Sequence, residues 1–348
     1  MAMLTTGSLA GARHVLLHLC DECNYHCVYC YRQSSADSMS FDEWADLLRQ
    51  ARTQGARDVS FLGGEPLLYG RLKELLALAR QLRYSTIYLY TNGSLIDKEW
   101  RTVFKKYNVV LVVKFESRPE VYRSLTQQEG ASLERVRQNI GDCVSSGLGV
   151  LTFIVLSKKN VGDVGRLIRD SLKLGAFPVL ERFIPVVRTA AQAGLDITND
   201  EFDAASGAME KVFSPVKFLY VLTQVFTNKT SCGCYNNSIS VTSSGSVLPC
   251  PFLAESQSVG NIREYAFKTL QQKYASKQQS VYGVGVRKLF DKKRPSSCCR
   301  TYSFNKTGAY PPVGVEFCDR MNRVGYMLVR MRPMKWLVSA LIKRTELI

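Results

Sequence analysis

Between His14 and Ile184 the chain alternates short apolar runs with amphipathic stretches at nearly constant spacing. The apolar runs are His14–Leu19, Asp58–Leu62, Thr86–Tyr90, Val109–Phe115, Val150–Leu156 and Val179–Ile184. They lack the polar alternation of a half-exposed strand, so they read as strands buried on both faces. Helical patterns separate them at Ser40–Gln54, Arg71–Gln81, Asp97–Lys106, Ser132–Ser146 and Gly162–Leu174. Ser40 with Glu43 three residues on forms a capping box, and Gly55 ends that helix. Only about 190 residues are available before the pattern changes, whereas a complete eightfold barrel takes roughly 250. The expected fold is therefore α/β, a partial (β/α)6 TIM-type barrel.

The pattern breaks after Pro185. Asp200–Phe213 reads as one more helix, and from Ser231 short strands, turns and cysteines dominate. Ser238–Thr242 and Ser246–Leu248, joined across Ser243-Ser244-Gly245, read as a β-hairpin. The expected division is a barrel over 12–215 and a small cysteine-rich α+β subdomain over 216–348. No run of 18 apolar residues occurs and Met1–Arg13 lacks a secretory pattern, so no integral membrane span is expected and the expected location is cytoplasmic. From Arg287 to the end, 14 Lys and Arg stand against 4 Asp and Glu. Such a tail suits an acidic partner, an anionic substrate, RNA, a membrane surface, or simply water. Pro333–Arg344 reads as an amphipathic helix that packs over the open barrel edge or lies on a membrane surface.

Eleven cysteines in a reducing compartment call for metals or redox chemistry rather than disulfides. Cys143 sits alone in a helical pattern and is expected in the core, and Cys20 ends a buried strand as a packing residue. Cys23, Cys27 and Cys30 have the spacing C-x3-C-x2-C directly after the first strand. That is the mouth of a barrel where chemistry is kept. Three thiolates on one short loop can hold three irons of a [4Fe–4S] cube and leave the fourth open. Zinc held by these cysteines and His26 is the alternative. His26 lies inside the loop, however, and zinc leaves the glycine turn that follows the second strand unexplained.

With Tyr29 before its last cysteine, this loop resembles the signature of the radical S-adenosylmethionine (radical SAM) enzymes. The resemblance implies that the methionine part of S-adenosyl-L-methionine chelates the open iron. One-electron reduction then gives a 5′-deoxyadenosyl radical that abstracts a hydrogen atom from the substrate. It further implies cofactor-binding turns at Gly63-Gly64-Glu65-Pro66 and Thr91-Asn92-Gly93, with Ser117 near the ribose.

The later cysteines are similar to the SPASM and twitch extensions of that family. Cys232, Gly245 and Cys250 give C-x12-G-x4-C, and Cys299-Arg300 and Cys318 follow. The resemblance implies one auxiliary [4Fe–4S] cluster on Cys232, Cys234, Cys250 and Cys299, with Cys298 and Cys318 as competitors for the fourth place. Zinc or plain packing are the alternatives.

The catalytic candidates are Lys114 and Glu116, two apart near the end of the fourth strand, and Glu181 and Arg182, which interrupt the sixth. They suit substrate binding or proton movement, or else buried ion pairing. The expected function is hydrogen abstraction in peptide or protein maturation. Cofactor or small-metabolite synthesis, RNA modification and a zinc-bound nucleic-acid module are the other readings. A ferredoxin or flavodoxin would be the electron donor. Fewer than 15 residues precede the first strand, so a separate peptide-binding protein is expected for a peptide substrate.

Overall fold

The apolar runs pair in parallel, in chain order. In the computed structural model, which describes residues 12–32, 37–186, 194–213 and 238–282, they form β1 (His14–His18), β2 (Asp58–Leu62), β3 (Thr86–Thr91), β4 (Val109–Lys114), β5 (Gly149–Leu156) and β6 (Phe177–Arg182). The register sets His14 against Asp58 and Leu17 against Phe61, then Phe61 against Leu89, Leu89 against Leu111, and Leu111 against Val150. The first five residues of β4 are all buried, because helices cover one face of the strand and the barrel interior the other.

The covering helices are α1 (Phe41–Thr53), α2 (Leu72–Gln81), α3 (Lys98–Lys106), α4 (Pro119–Thr126), α5 (Gly130–Ser145), α6 (Val164–Lys173) and α7 (Asn199–Phe213). The capping box of α1 forms: the Ser40 Oγ accepts from the Glu43 amide at 3.3 Å, and the Glu43 carboxylate from the Ser40 amide at 2.7 Å. Trp44, Leu47, Leu48 and Ala51 then bury one face of that helix. The result is an open partial barrel.

Two helices exceed the sequence expectation. Helix α4 is only eight residues long, too short for a clear period, yet its first-turn proline, Pro119, is a helix-start signal. The other is α8 (Phe267–Tyr282), whose many polar residues blur the apolar stripe.

The hairpin also does more than close on itself. Its strands β7 (Ser238–Val241) and β8 (Val247–Leu248) extend the sheet, giving the order β6-β5-β4-β3-β2-β1-β7-β8. β7 lies parallel to β1, and β8 antiparallel to β7. Ile239, Val241, Val247 and Phe267 enter the same hydrophobic core as β1 and α1. Polar contacts fix this seam. The Phe267 amide donates to the Gln50 side chain at 2.9 Å, and Arg263 pairs with Asp37 and Glu43, each at 2.5 Å. The sequence-assigned residues Cys232, Cys234, Cys298, Cys299 and Cys318, and the segment Pro333–Arg344, lie outside the described residues.

His18 reports on the seam. Its Nε2 meets the Ser240 Oγ at 3.0 Å in the interior, and burial pushes its pKa down to about 4 against a weaker upward pull from Asp21. The unfolded chain takes up this proton near pH 6.5 and the folded chain only near 4. The contribution of neutral His18 is therefore complete above pH 6.5 and is lost as the pH falls toward 4. Chemical denaturation of wild type and His18→Gln across this window should show the difference in unfolding free energy changing by about 3 kcal/mol. A constant difference would refute the assignment.

Candidate active site at the barrel mouth

Parallel pairing in register brings the exits of β1, β2 and β3 to one edge. The β1 exit carries Cys23, Cys27 and Cys30, the β2 exit carries Gly63 to Pro66, and the β3 exit carries Asn92 to Ser94. Backbone bonds join the first two: Gly64 donates to the Cys20 carbonyl at 2.7 Å and Glu65 to the Glu22 carbonyl at 2.8 Å. Gly63 has φ +155°, and a Cβ there would stand 2.7 Å from the Cys20 carbonyl oxygen. A Cβ on Gly64 would stand 2.1 Å from the Glu22 carbonyl oxygen. Only glycines allow the loops to touch in this way.

Glu65 joins the second and third exits. It is fully buried, and its carboxylate accepts from the Thr91 hydroxyl at 2.7 Å, the Asn92 amide at 2.8 Å and the Leu67 amide at 3.1 Å. Burial raises its pKa to about 7 despite those three donors. Pro66 then opens a short 3-10 turn, Pro66–Leu68.

A cavity of about 310 Å³ opens over these loops. Cys23, Cys27, Cys30, Gly63, Gly64, Thr91 and Asn92 line one part. Leu16, Leu62, Tyr90, Val112, Phe153, Val155, Phe183 and Phe252 line the rest. The three thiols face the cavity without gathering around one point: among the described residues no three His, Cys, Asp or Glu side chains are set to hold a single ion. Burial pushes the Cys27 thiol up to about 11 and also raises Cys23, with Arg32 pulling Cys23 the other way. Tyr29 packs beneath Lys114, whose ammonium lies 4.7 Å from the ring centroid. Burial lowers the Lys114 pKa, while Glu116 and Cys27 oppose that shift.

The sequence-predicted residues take different positions. Lys114, Glu181, Tyr29, Gly63, Gly64, Thr91 and Asn92 all line the cavity. Arg182 also borders it, but its guanidinium bonds to the Asn199 side chain at 2.7 Å and to the Ile197 carbonyl, and lies over the Phe202 ring. It thereby ties β6 to the start of α7. Glu116 is buried and accepts from the Ser117 amide and the Asn160 side chain, both at 2.8 Å, which braces the β4 exit. Ser117 is buried with no partner for its Oγ and is not among the cavity-lining residues. The Gly93 carbonyl accepts from Asn139 at 2.8 Å. Cys250 is buried, and the next two residues, Pro251 and Phe252, line the cavity.

Tyr31 and Arg32 are among the lining residues that the sequence reading did not single out. Tyr31 meets Phe252 edge-on at a centroid distance of 4.7 Å. Arg32 packs over Gly64 with its Nη1 buried and without a hydrogen-bond partner. The available signal was their place just after the last cysteine of the loop. Replacing one Glu65 oxygen by an amide NH2 in Glu65→Gln sets a donor against a donor. We expect a loss of about 1–3 kcal/mol in unfolding free energy, read by denaturant titration at pH 8. An unchanged midpoint would mean that the carboxylate is not the tie between these loops.

Comparison with known proteins agrees with this geometry. Residues 18–170 match the Radical SAM superfamily model. A probable GTP 3′,8-cyclase of Methanococcus vannielii is 29% identical over 206 residues, 58% of this chain and 68% of that protein. A PqqA peptide cyclase of Streptomyces rochei is 26% identical over 272 residues, covering 72% of this chain and 71% of that one. In fold, the chain resembles anSMEcpe solved with bound AdoMet and a Cp18Cys peptide, with a TM-score of 0.67 at 17% identity over 95% of this chain and 99% of the other. No described helix is long and apolar enough to cross a membrane. Residues 18–170 are therefore a domain of the radical SAM superfamily, whose members use a 4Fe–4S cluster with S-adenosylmethionine, and the protein that carries this domain is an enzyme.

Proposed function

We propose that this enzyme abstracts a hydrogen atom from an amino-acid side chain of a peptide or protein substrate. The residues present fit the cofactors. Three thiols on one short loop that share one cavity suit three corners of a cube. The orphaned Nη1 of Arg32 over the bare backbone of Gly64 suits a ligand bearing a carboxylate. Cys23, Cys27 and Cys30 would hold the cluster, and Gly63 to Pro66 with Thr91 to Gly93 would border S-adenosylmethionine. When bound, the pair supplies one-electron cleavage of a sulfonium and hydrogen-atom abstraction.

The chain's own residues do the rest. Lys114, over Tyr29 and beside Cys27, places a cation against a site that gathers thiolate charge. Tyr31, Tyr90, Phe153 and Phe252 exclude water from the space beyond the thiols. Glu181 stands on that wall as a group able to orient the substrate.

The apolar, aromatic far part of the cavity carries the peptide reading. A side chain can fill such a space, whereas a triphosphate demands clustered cations, and of the cationic residues that line the cavity Lys114 lies over Tyr29 and Arg182 is bonded to Asn199 and Ile197. The relative named PqqA peptide cyclase supports the same reading, while the one named GTP 3′,8-cyclase supports cofactor synthesis. We further assign a barrel over 12–215 and a unit over 216–348, in which buried Cys250 joins Cys232, Cys234 and Cys299 around an auxiliary cluster. A ferredoxin or flavodoxin donor and a separate peptide-binding protein complete the proposal.

Anaerobic reconstitution should load about eight irons per chain, as two cubes require, and reduction with S-adenosylmethionine should release 5′-deoxyadenosine. Changing Cys23, Cys27 and Cys30 together to Ala should halve the iron and bring the nucleoside to background. A deuterated peptide should pass its label to 5′-deoxyadenosine. Label transfer from GTP instead would replace the peptide reading, and one zinc with no deoxyadenosine would overturn the assignment of both cofactors.

A further inference from the structure

Asn24 lies in the cysteine loop, one residue after Cys23, and is not itself a lining residue of the cavity. Its side chain nevertheless reaches the β3 exit. The Asn24 Nδ2 donates to the Ser94 Oγ at 3.0 Å, the Ser94 Oγ donates to the Asn92 Oδ1 at 2.6 Å, and the Asn92 Nδ2 donates back to the Asn24 Oδ1 at 2.8 Å. The three side chains form a closed ring in which each donates once and accepts once. Such a cycle polarises all its members in the same sense. The Ser94 amide adds a bond to the Asn92 Oδ1 at 2.9 Å, which leaves the Asn92 amide group a single orientation.

Asn92 is the member of the ring that faces the cavity, and its backbone amide is held by Glu65. The β3 turn is thus fixed from below by Glu65 and from the side by Asn24. The first contact comes from the glycine turn and the second from the loop that carries the thiols. Of the residues between Cys23 and Cys30, Asn24 is positioned to transmit the placement of that loop to Asn92.

We propose that Asn24 is a positioning residue: through the ring with Ser94 and Asn92 it couples the seating of the cysteine loop to the shape of the turn that borders S-adenosylmethionine. The inference rests on the reading of the site given above. Removing the Asn24 amide takes away the acceptor of the Asn92 Nδ2 and the donor to Ser94, so Asn92 is held by Ser94 alone, while every cysteine stays in place. The expected consequence is intact cluster loading with weakened S-adenosylmethionine binding.

The test uses full-length reconstituted protein and S-adenosylmethionine itself as the probe, with binding followed by its effect on the electron paramagnetic resonance of the reduced cluster. Asn24→Ala should keep wild-type iron content and bind about tenfold more weakly, the scale on which outer partners of a metal site act. Ser94→Ala opens the same ring from the other side and should weaken binding similarly. The double variant should be no weaker than either single one, because the ring is already broken. A lowered melting temperature with unchanged affinity in both single variants would make the ring merely structural and overturn the proposal. Loss of iron in step with loss of affinity would overturn it too, since Asn24 would then serve the cluster directly. Wild-type protein that loads iron but never responds to S-adenosylmethionine would instead sink the reading of the site itself, and this inference with it.

Discussion

A buried carboxylate holds the active edge of this protein together. Glu65 is cut off from water, and its charge is tolerated only because two backbone amides and one hydroxyl point at it. Those donors belong to the β2 and β3 exits, so the carboxylate cannot be satisfied unless both exits are in place. The backbone of the β2 exit in turn bonds the β1 exit through Gly64 and Glu65. One poorly solvated group thus makes the geometry of three loops an all-or-none matter. Burial outweighs those donors and raises the carboxylate's pKa to about 7.

The sheet supplies the frame that this carboxylate needs. Parallel strands in register present their ends at one height, and the residues that follow them converge without long loops. The cavity-lining side chains above that level are apolar or aromatic, apart from Lys114, Glu181 and Arg182. Such a lining offers water few partners beside the thiols.

Much of this was legible in the sequence. The six inner strands and the helices between them follow from apolar runs and one clear capping box, because a parallel sheet buries both faces and leaves a continuous signal. The cysteine loop and the glycine turn were legible because their chemistry demands fixed residue types at fixed spacing. What escaped was long-range or short. The pairing of β7 with β1 depends on partners more than 200 residues apart, which no local pattern encodes. Helix α4 is too brief for periodicity. Glu116 and Arg182 stand out in the sequence as charges at strand ends, but the loops that their side chains brace do not, since period-two alternation gives the face and not the partner. Arg32 and Asn24 carried no signal beyond their nearness to the cysteines, because their meaning lies in contacts across loops.

The placement of β7 beside β1 has a consequence for how the chain is made. His18 and Ser240 are 222 residues apart, so β1 leaves the ribosome long before its outer neighbour exists. During that interval one edge of a growing parallel sheet, with the cysteine loop next to it, is open to pairing with another nascent chain. Loop closure over such a span is slow, because the ordering cost comes before the contacts that reward it. The half-made barrel is the vulnerable species in synthesis.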